Sequence, residues 1–125
     1  MTPDEYIKLC KVTDVEDYSV MEERLGTIDL AIIHSMLGIT TEAGEFTDAI
    51  KKHLLYGKPL DYVNLKEEFG DILWYISIGL KALGLTYEEV MQTNIAKLKA
   101  RYGDKFTEAA ALERDLETER KVLES

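Results

Sequence analysis

At 125 residues and 46% hydrophobic, the chain is long enough for one domain with one core and too short for two of ordinary size. Its net charge of −9 excludes a nucleic-acid-binding surface, which needs basic patches that are missing here. The longest predominantly apolar stretch, Ile72 to Leu80, falls well short of the roughly 18 residues of a membrane span.

The amino terminus opens Met-Thr-Pro-Asp-Glu without a basic n-region, so a soluble, cytoplasmic protein is expected. Cys10, the lone cysteine, cannot form an internal disulfide and reads as a small core residue. Acidity does not by itself exclude a polyanionic substrate, provided that a divalent cation sits between carboxylates and phosphates.

Thr2-Pro3-Asp4-Glu5 combines a capping residue, a first-turn proline and an early acid, so a short helix begins there. A further helical stretch is expected from about Val15 to Arg24. From about Asp29 to Leu55 the apolar residues Ile32, Met36, Ile39, Ala43, Phe46 and Ile50 recur at steps of four and three, one helical face. Tyr56-Gly57-Lys58-Pro59 breaks that helix.

Asp61 or Asn64 caps the next helix, with Glu67 completing a capping box from Asn64. Its stripe is Leu65, Phe69, Ile72, Ile76, Leu80 and Leu83, and Gly84 ends it. Thr86-Tyr87-Glu88-Glu89 opens a third helix with an apolar line of Met91, Ile95, Leu98 and Tyr102 before Gly103. Ala109, Leu112, Leu116 and Leu123 continue a thin stripe through Glu108 to Glu124, a peripheral helix with a solvated, ion-paired face. The fold class is therefore all-α, a bundle with long antiparallel helices. Residues 1–125 form one domain with its core at about 29–106 and a peripheral helix over 107–125.

The most informative feature is a repeated pattern on the two long helices. Glu42-Ala43-Gly44-Glu45-Phe46 and Glu68-Phe69-Gly70-Asp71-Ile72 each read acid, apolar, glycine, acid, apolar. Each pair flanks its apolar stripe on the same side, so antiparallel packing would bring four carboxylates together. Such a cluster stays ionised only with a compensating cation, and hard oxygen ligands select Mg²⁺, Mn²⁺ or Ca²⁺. Mid-helix glycine costs about 1 kcal/mol against alanine, so Gly44 and Gly70 call for close helix approach or room for a ligand. A solvated face is the bland account of either pair alone; the matched repetition favours a metal.

Asn94, Lys97 and Arg101 line one side of the third helix. They can grip phosphate oxygens, although on spacing alone salt bridges to nearby acids or simple solvation account for them. Trp74 reads as core or interface. Tyr75, one turn after Asp71, is a candidate substrate contact. His34 is a candidate base or sugar contact, with a hydrogen-bonded structural role as the stronger alternative. His53 reads as a helix-end cation without chemistry. Ser35 and Ser77 lack an evident base partner.

Glu42-x-x-Glu45 followed by Glu68-x-x-Asp71 resembles the paired acidic motif of the all-α MazG-like nucleotide pyrophosphohydrolases. His34 to Glu45, Gly70 to Tyr75 and Asn94 to Tyr102 resemble the family's three motif regions, so the similarity covers about His34 to Phe106. The resemblance implies a core completed by association into a homodimer or homotetramer. It also implies hydrolysis of a nucleoside triphosphate to monophosphate and pyrophosphate, for nucleotide-pool housecleaning or control. Carried over by position, Glu42, Glu45, Glu68 and Asp71 hold Mg²⁺, with Mn²⁺ as a substitute, while Lys97, Arg101 and Asn94 grip phosphates. Glu45 is the candidate base. Many members carry a further acid where this chain has Thr41, which leaves the base and the number of ions open. Competing readings are a non-enzymatic dimeric helical adaptor and, last, a di-iron carboxylate bundle, which usually needs Glu-x-x-His pairs that this chain lacks.

Overall fold

The computed structural model describes residues 1–124, which form helices and no strand. The order is α1 (Pro3–Lys11), α2 (Ser19–Leu25), α3 (Leu30–Tyr56), α4 (Tyr62–Leu83), α5 (Tyr87–Tyr102), α6 (Glu108–Leu112) and α7 (Leu116–Glu124). The all-α expectation holds. No helix among the described residues is long and apolar enough to cross a membrane.

Local chemistry accounts for the boundaries. Thr2 and Glu5 form a capping box on α1, as do Thr86 and Glu89 on α5. Asp29 caps α3 through the Ala31 N–H. Gly57 and Gly84 close α3 and α4 at φ 64 and 68, the left-handed conformation that glycine adopts without a Cβ penalty.

Three local expectations need correction. Asp61 alone caps α4, accepting from the N–H groups of Val63 and Asn64, so Asn64 lies inside the helix and forms no capping box with Glu67. The early helix covers Ser19–Leu25 and does not begin at Val15, because Asp14 and Asp17 bond the N–H groups of Val15 and Ser19 in the preceding turn. The tail is two helices separated at Glu113–Asp115.

The packing centre is the α3–α4 pair. Ser35 is buried and its hydroxyl donates to the Tyr75 carbonyl oxygen at 2.7 Å. Gly38 lies directly against the Tyr75 ring and Gly79 against Ser35. Further along, the rings of Phe46 and Phe69 meet edge to face at 4.9 Å. The second packing group is α5 with α6 and α7, and the Tyr87 hydroxyl donates to the Leu73 carbonyl oxygen to tie α5 to α4.

The apolar stripes are only partly covered within the chain. Among the described residues Leu65, at 9% exposure, is the only buried large hydrophobic side chain and none is fully buried, whereas Phe69 and Trp74 are 58% and 56% exposed, and Met36, Met91 and Ile95 are also open. Trp74 is thus not part of the core of this chain. Cys10 is exposed too, because α1 buries no residue. A two-helix layer can hide only the faces that its helices turn toward each other.

Candidate metal and nucleotide site

Three of the four paired acids converge where α3 faces α4, and Glu45 stands outside that group. Oxygens of Glu42, Glu68 and Asp71 lie within 4.8 Å of one another. Glu68 is 3% exposed and accepts a hydrogen bond from the Asn64 amide at 2.8 Å. That bond, one helical turn long, fixes the Glu68 carboxylate and leaves its second oxygen without a protein donor among the described residues. Asn64 escaped attention as a site residue because its place near a helix start suggested a cap; the clue was its i, i+4 spacing to Glu68.

Crowding shows in the titration of Glu42. Its carboxyl is raised above the ordinary value, first by loss of hydration and then by the charges of Glu45, Asp71 and Glu68, with a hydrogen bond from the Thr41 hydroxyl opposing. A divalent cation among these oxygens would reverse that repulsion. The donor set is all carboxylate, partly buried, and supported by a second layer in Asn64, so it fits a hard cation such as Mg²⁺.

Glu45 opens with Glu68 onto a cavity of about 590 Å³ between the carboxy-terminal half of α3 and the start of α4, whose lining also includes Lys52, Lys58 and Asn64. That volume is in the range of small-molecule sites. Gly44 borders it, and a Cβ at Gly44 or Gly70 would meet nothing within 4 Å. Close helix approach is therefore not what these two glycines provide within the chain. Open space beside the acids remains as their effect, and close approach belongs to Gly38 and Gly79.

Other candidates lie apart from the acids. The His34 ring meets Tyr75 and Trp74 edge-on at 5.5 and 6.4 Å; it is exposed and has no hydrogen bond among the described residues, so the structural role expected for it rests on ring packing instead. The Tyr75 ring covers Gly38. Asn94 borders a separate pocket shared with Leu85 and Leu123, and Lys97 is half-buried on α5.

Arg101 is engaged elsewhere. Its Nε donates to Glu119 Oε1 at 2.8 Å and its Nη2 to Oε2, while Arg114 Nη2 donates to the same Oε2 at 2.7 Å. The two arginines hold Glu119 far below the usual carboxylate range, at about 2, with Arg101 the larger influence. Glu119 in turn raises Arg101 further. Glu119 is only 4% exposed, so the expectation of a wholly solvated tail fails at this residue. Intrahelical pairs do line the other side of α7, Lys121 with Glu117 at 2.7 Å and Arg120 with Glu124 at 2.5 Å.

Comparison with known families gives one result. A family model described as the MazG nucleotide pyrophosphohydrolase domain matches residues 32–106, a span that contains both acidic pairs and the basic side of α5. No curated protein and no solved structure matches the chain.

Proposed function

Because the chain belongs to the MazG nucleotide pyrophosphohydrolase family, we propose that it hydrolyses nucleoside or deoxynucleoside triphosphates to the monophosphate and pyrophosphate with Mg²⁺, Mn²⁺ serving as a substitute. The observation that carries this reading is the convergence of Glu42, Glu68 and Asp71 beside an open cavity.

Glu42, Glu68 and Asp71, joined by Glu45, would hold the cation. When bound, the ion neutralises phosphate oxygens, polarises the α-phosphate and acidifies water. Glu45 takes the proton of the water that attacks the α-phosphorus as the bridging bond to the β-phosphate breaks, releasing pyrophosphate and monophosphate. Glu68, pinned by Asn64, keeps its carboxylate oriented without rearrangement. Lys97, with Asn94 and Arg101, contributes phosphate contacts, Arg101 exchanging Glu119 for a phosphate oxygen. His34 and Tyr75 flank the sugar or base.

The same reading takes α3 and α4 as an antiparallel pair. In support, Ser35 meets Tyr75 and Gly79, whereas Phe46 meets Phe69, so partners on α4 descend as α3 ascends. Residues 1–125 act as one cytoplasmic domain with its core at 29–106. A homodimer or homotetramer covers the open stripes that include Met36, Phe69 and Trp74.

The test is pyrophosphate release from a panel of canonical and modified nucleoside triphosphates, with Mg²⁺ or with chelator, for wild type and Glu45→Gln. Metal-dependent release that is lost in the variant is expected. Folded protein that turns over no nucleotide with Mg²⁺ or Mn²⁺ would leave the adaptor reading in its place.

A further inference from the structure

The cavity beside the acids carries two lysines as well as carboxylates. Glu45, Asp48, Asp61 and Glu68 line it together with Lys52 and Lys58, and of the two aspartates Asp48 pairs with Lys52 while Asp61 caps α4. Lys52 lies seven residues beyond Glu45, roughly 11 Å along the helix axis, so the cavity runs from the acid cluster toward the α3–α4 connection.

The connection is built to hold Lys58 in place. The Gly57 N–H donates to the His53 carbonyl oxygen at 3.1 Å and the Lys58 N–H to that of Lys52 at 3.3 Å. Nδ1 of His53, as the protonated nitrogen, donates to the Lys58 carbonyl oxygen at 2.8 Å. Pro59 follows with its ring-fixed φ. The residue is thus anchored on both sides of its peptide unit, while its ammonium makes no ion pair among the described residues. Lys52, by contrast, is paired with Asp48 at 2.5 Å.

We propose that this cavity is a polyphosphate subsite that holds the β- and γ-phosphates of the substrate, and then the pyrophosphate product, with Lys58, carried on an anchored backbone, as its resident cation. Lys52 is the exchangeable cation, passing from Asp48 to a phosphate oxygen when the subsite fills. The oxygens of Glu42, Glu68 and Asp71 repel phosphate except through a cation, whereas Lys58, which makes no ion pair among the described residues, is the lining cation left to meet the phosphate tail. The inference rests on the proposed hydrolase reading and assigns the leaving group's place within it.

The test is calorimetric titration with inorganic pyrophosphate in the presence of Mg²⁺, and separately with the common nucleoside monophosphates and with Mg²⁺ alone. Wild type, Lys58→Ala and Lys8→Ala are compared, the last removing the same charge from α1, far in sequence from the cavity. Without the charge-assisted hydrogen bond from the Lys58 ammonium, pyrophosphate binds about tenfold or more weakly, with monophosphate and Mg²⁺ affinities unchanged and Lys8→Ala like wild type. The proposal is overturned if wild type binds no pyrophosphate, if Lys58→Ala binds it as Lys8→Ala does, or if monophosphate or Mg²⁺ affinity falls instead. Nucleotide turnover by wild type judges the hydrolase reading separately. Turnover with Lys58-independent pyrophosphate binding removes only the subsite; Lys58-dependent binding without turnover removes only the hydrolase.

Discussion

Replacing glycine by alanine at Gly38 and at Gly44 asks for opposite outcomes from the same chemical change on the same helix. Alanine is favoured over glycine in a helix by about 1 kcal/mol. At Gly44 a Cβ meets nothing within 4 Å, so the whole gain is realised, a rise in Tm of about 4 °C for a chain of this size. At Gly38 the Cβ would overlap the Tyr75 ring, including the ring carbon nearest the Tyr75 backbone, so the ring must shift. Overpacking costs about 1–3 kcal/mol. Displacing Tyr75 also strains the Ser35 hydrogen bond to its carbonyl, worth about 1 kcal/mol. Net of the helix gain, Gly38→Ala loses about 2 kcal/mol and Tm falls by about 8 °C. Thermal unfolding followed by circular dichroism at one fixed protein concentration reads both, since association makes Tm depend on concentration. Two variants that shift Tm in the same direction would refute the assignment of close approach to Gly38 and open space to Gly44.

Glu119→Gln tests the arginine-bound carboxylate through pH. The folded value lies at about 2, below the ordinary 4.5, so its stabilisation is complete above about pH 4.5 and is lost as pH falls toward 2. Limited proteolysis of α7 should accelerate across that window in wild type; an identical pH profile in Glu119→Gln would sink the reasoning. Glu68→Gln should weaken Mn²⁺ binding, read by titration, by at least about tenfold, and unchanged affinity would remove Glu68 from the ligand set. Leu65→Ala should lower stability in urea unfolding by about 2–3 kcal/mol, the lower part of the range for buried leucine, because so much of the surrounding apolar surface is already open; a loss under about 0.5 kcal/mol would mean that the core lies elsewhere.

The helices and the acid cluster were legible in the sequence because their signals are short-range. Thr2, Asp29 and Thr86 cap within three residues of themselves, and Gly57 and Gly84 mark ends by a property of their own backbone. Glu42, Glu68 and Asp71 could be grouped because helical periodicity places each acid at a known angle from its apolar stripe. Asn64 and Asp61 show where such reasoning stops: both are competent caps, and only the path of the chain out of Gly57 and Pro59 selects Asp61.

Sequence alone determined the all-α class, the long helices of the core and the repeated acid-apolar-glycine-acid pattern on two of them. Tertiary structure alone decided which side chains across the chain take each other as partners. Spacing on its own helix left Arg101 between a phosphate, a nearby acid and solvent, and it is claimed by Glu119, 18 residues away. Gly44 and Gly70, for which close helix approach was one expectation, lie beside open space, and the helix contact falls at Gly38 and Gly79. Lys58 gains a place near the acids only when α3 and α4 close the cavity around their connection. The physical reason is common to all three. Periodicity and capping follow from the geometry of one helix, whereas the neighbour across a gap depends on how two helices are set against each other, which no local spacing encodes.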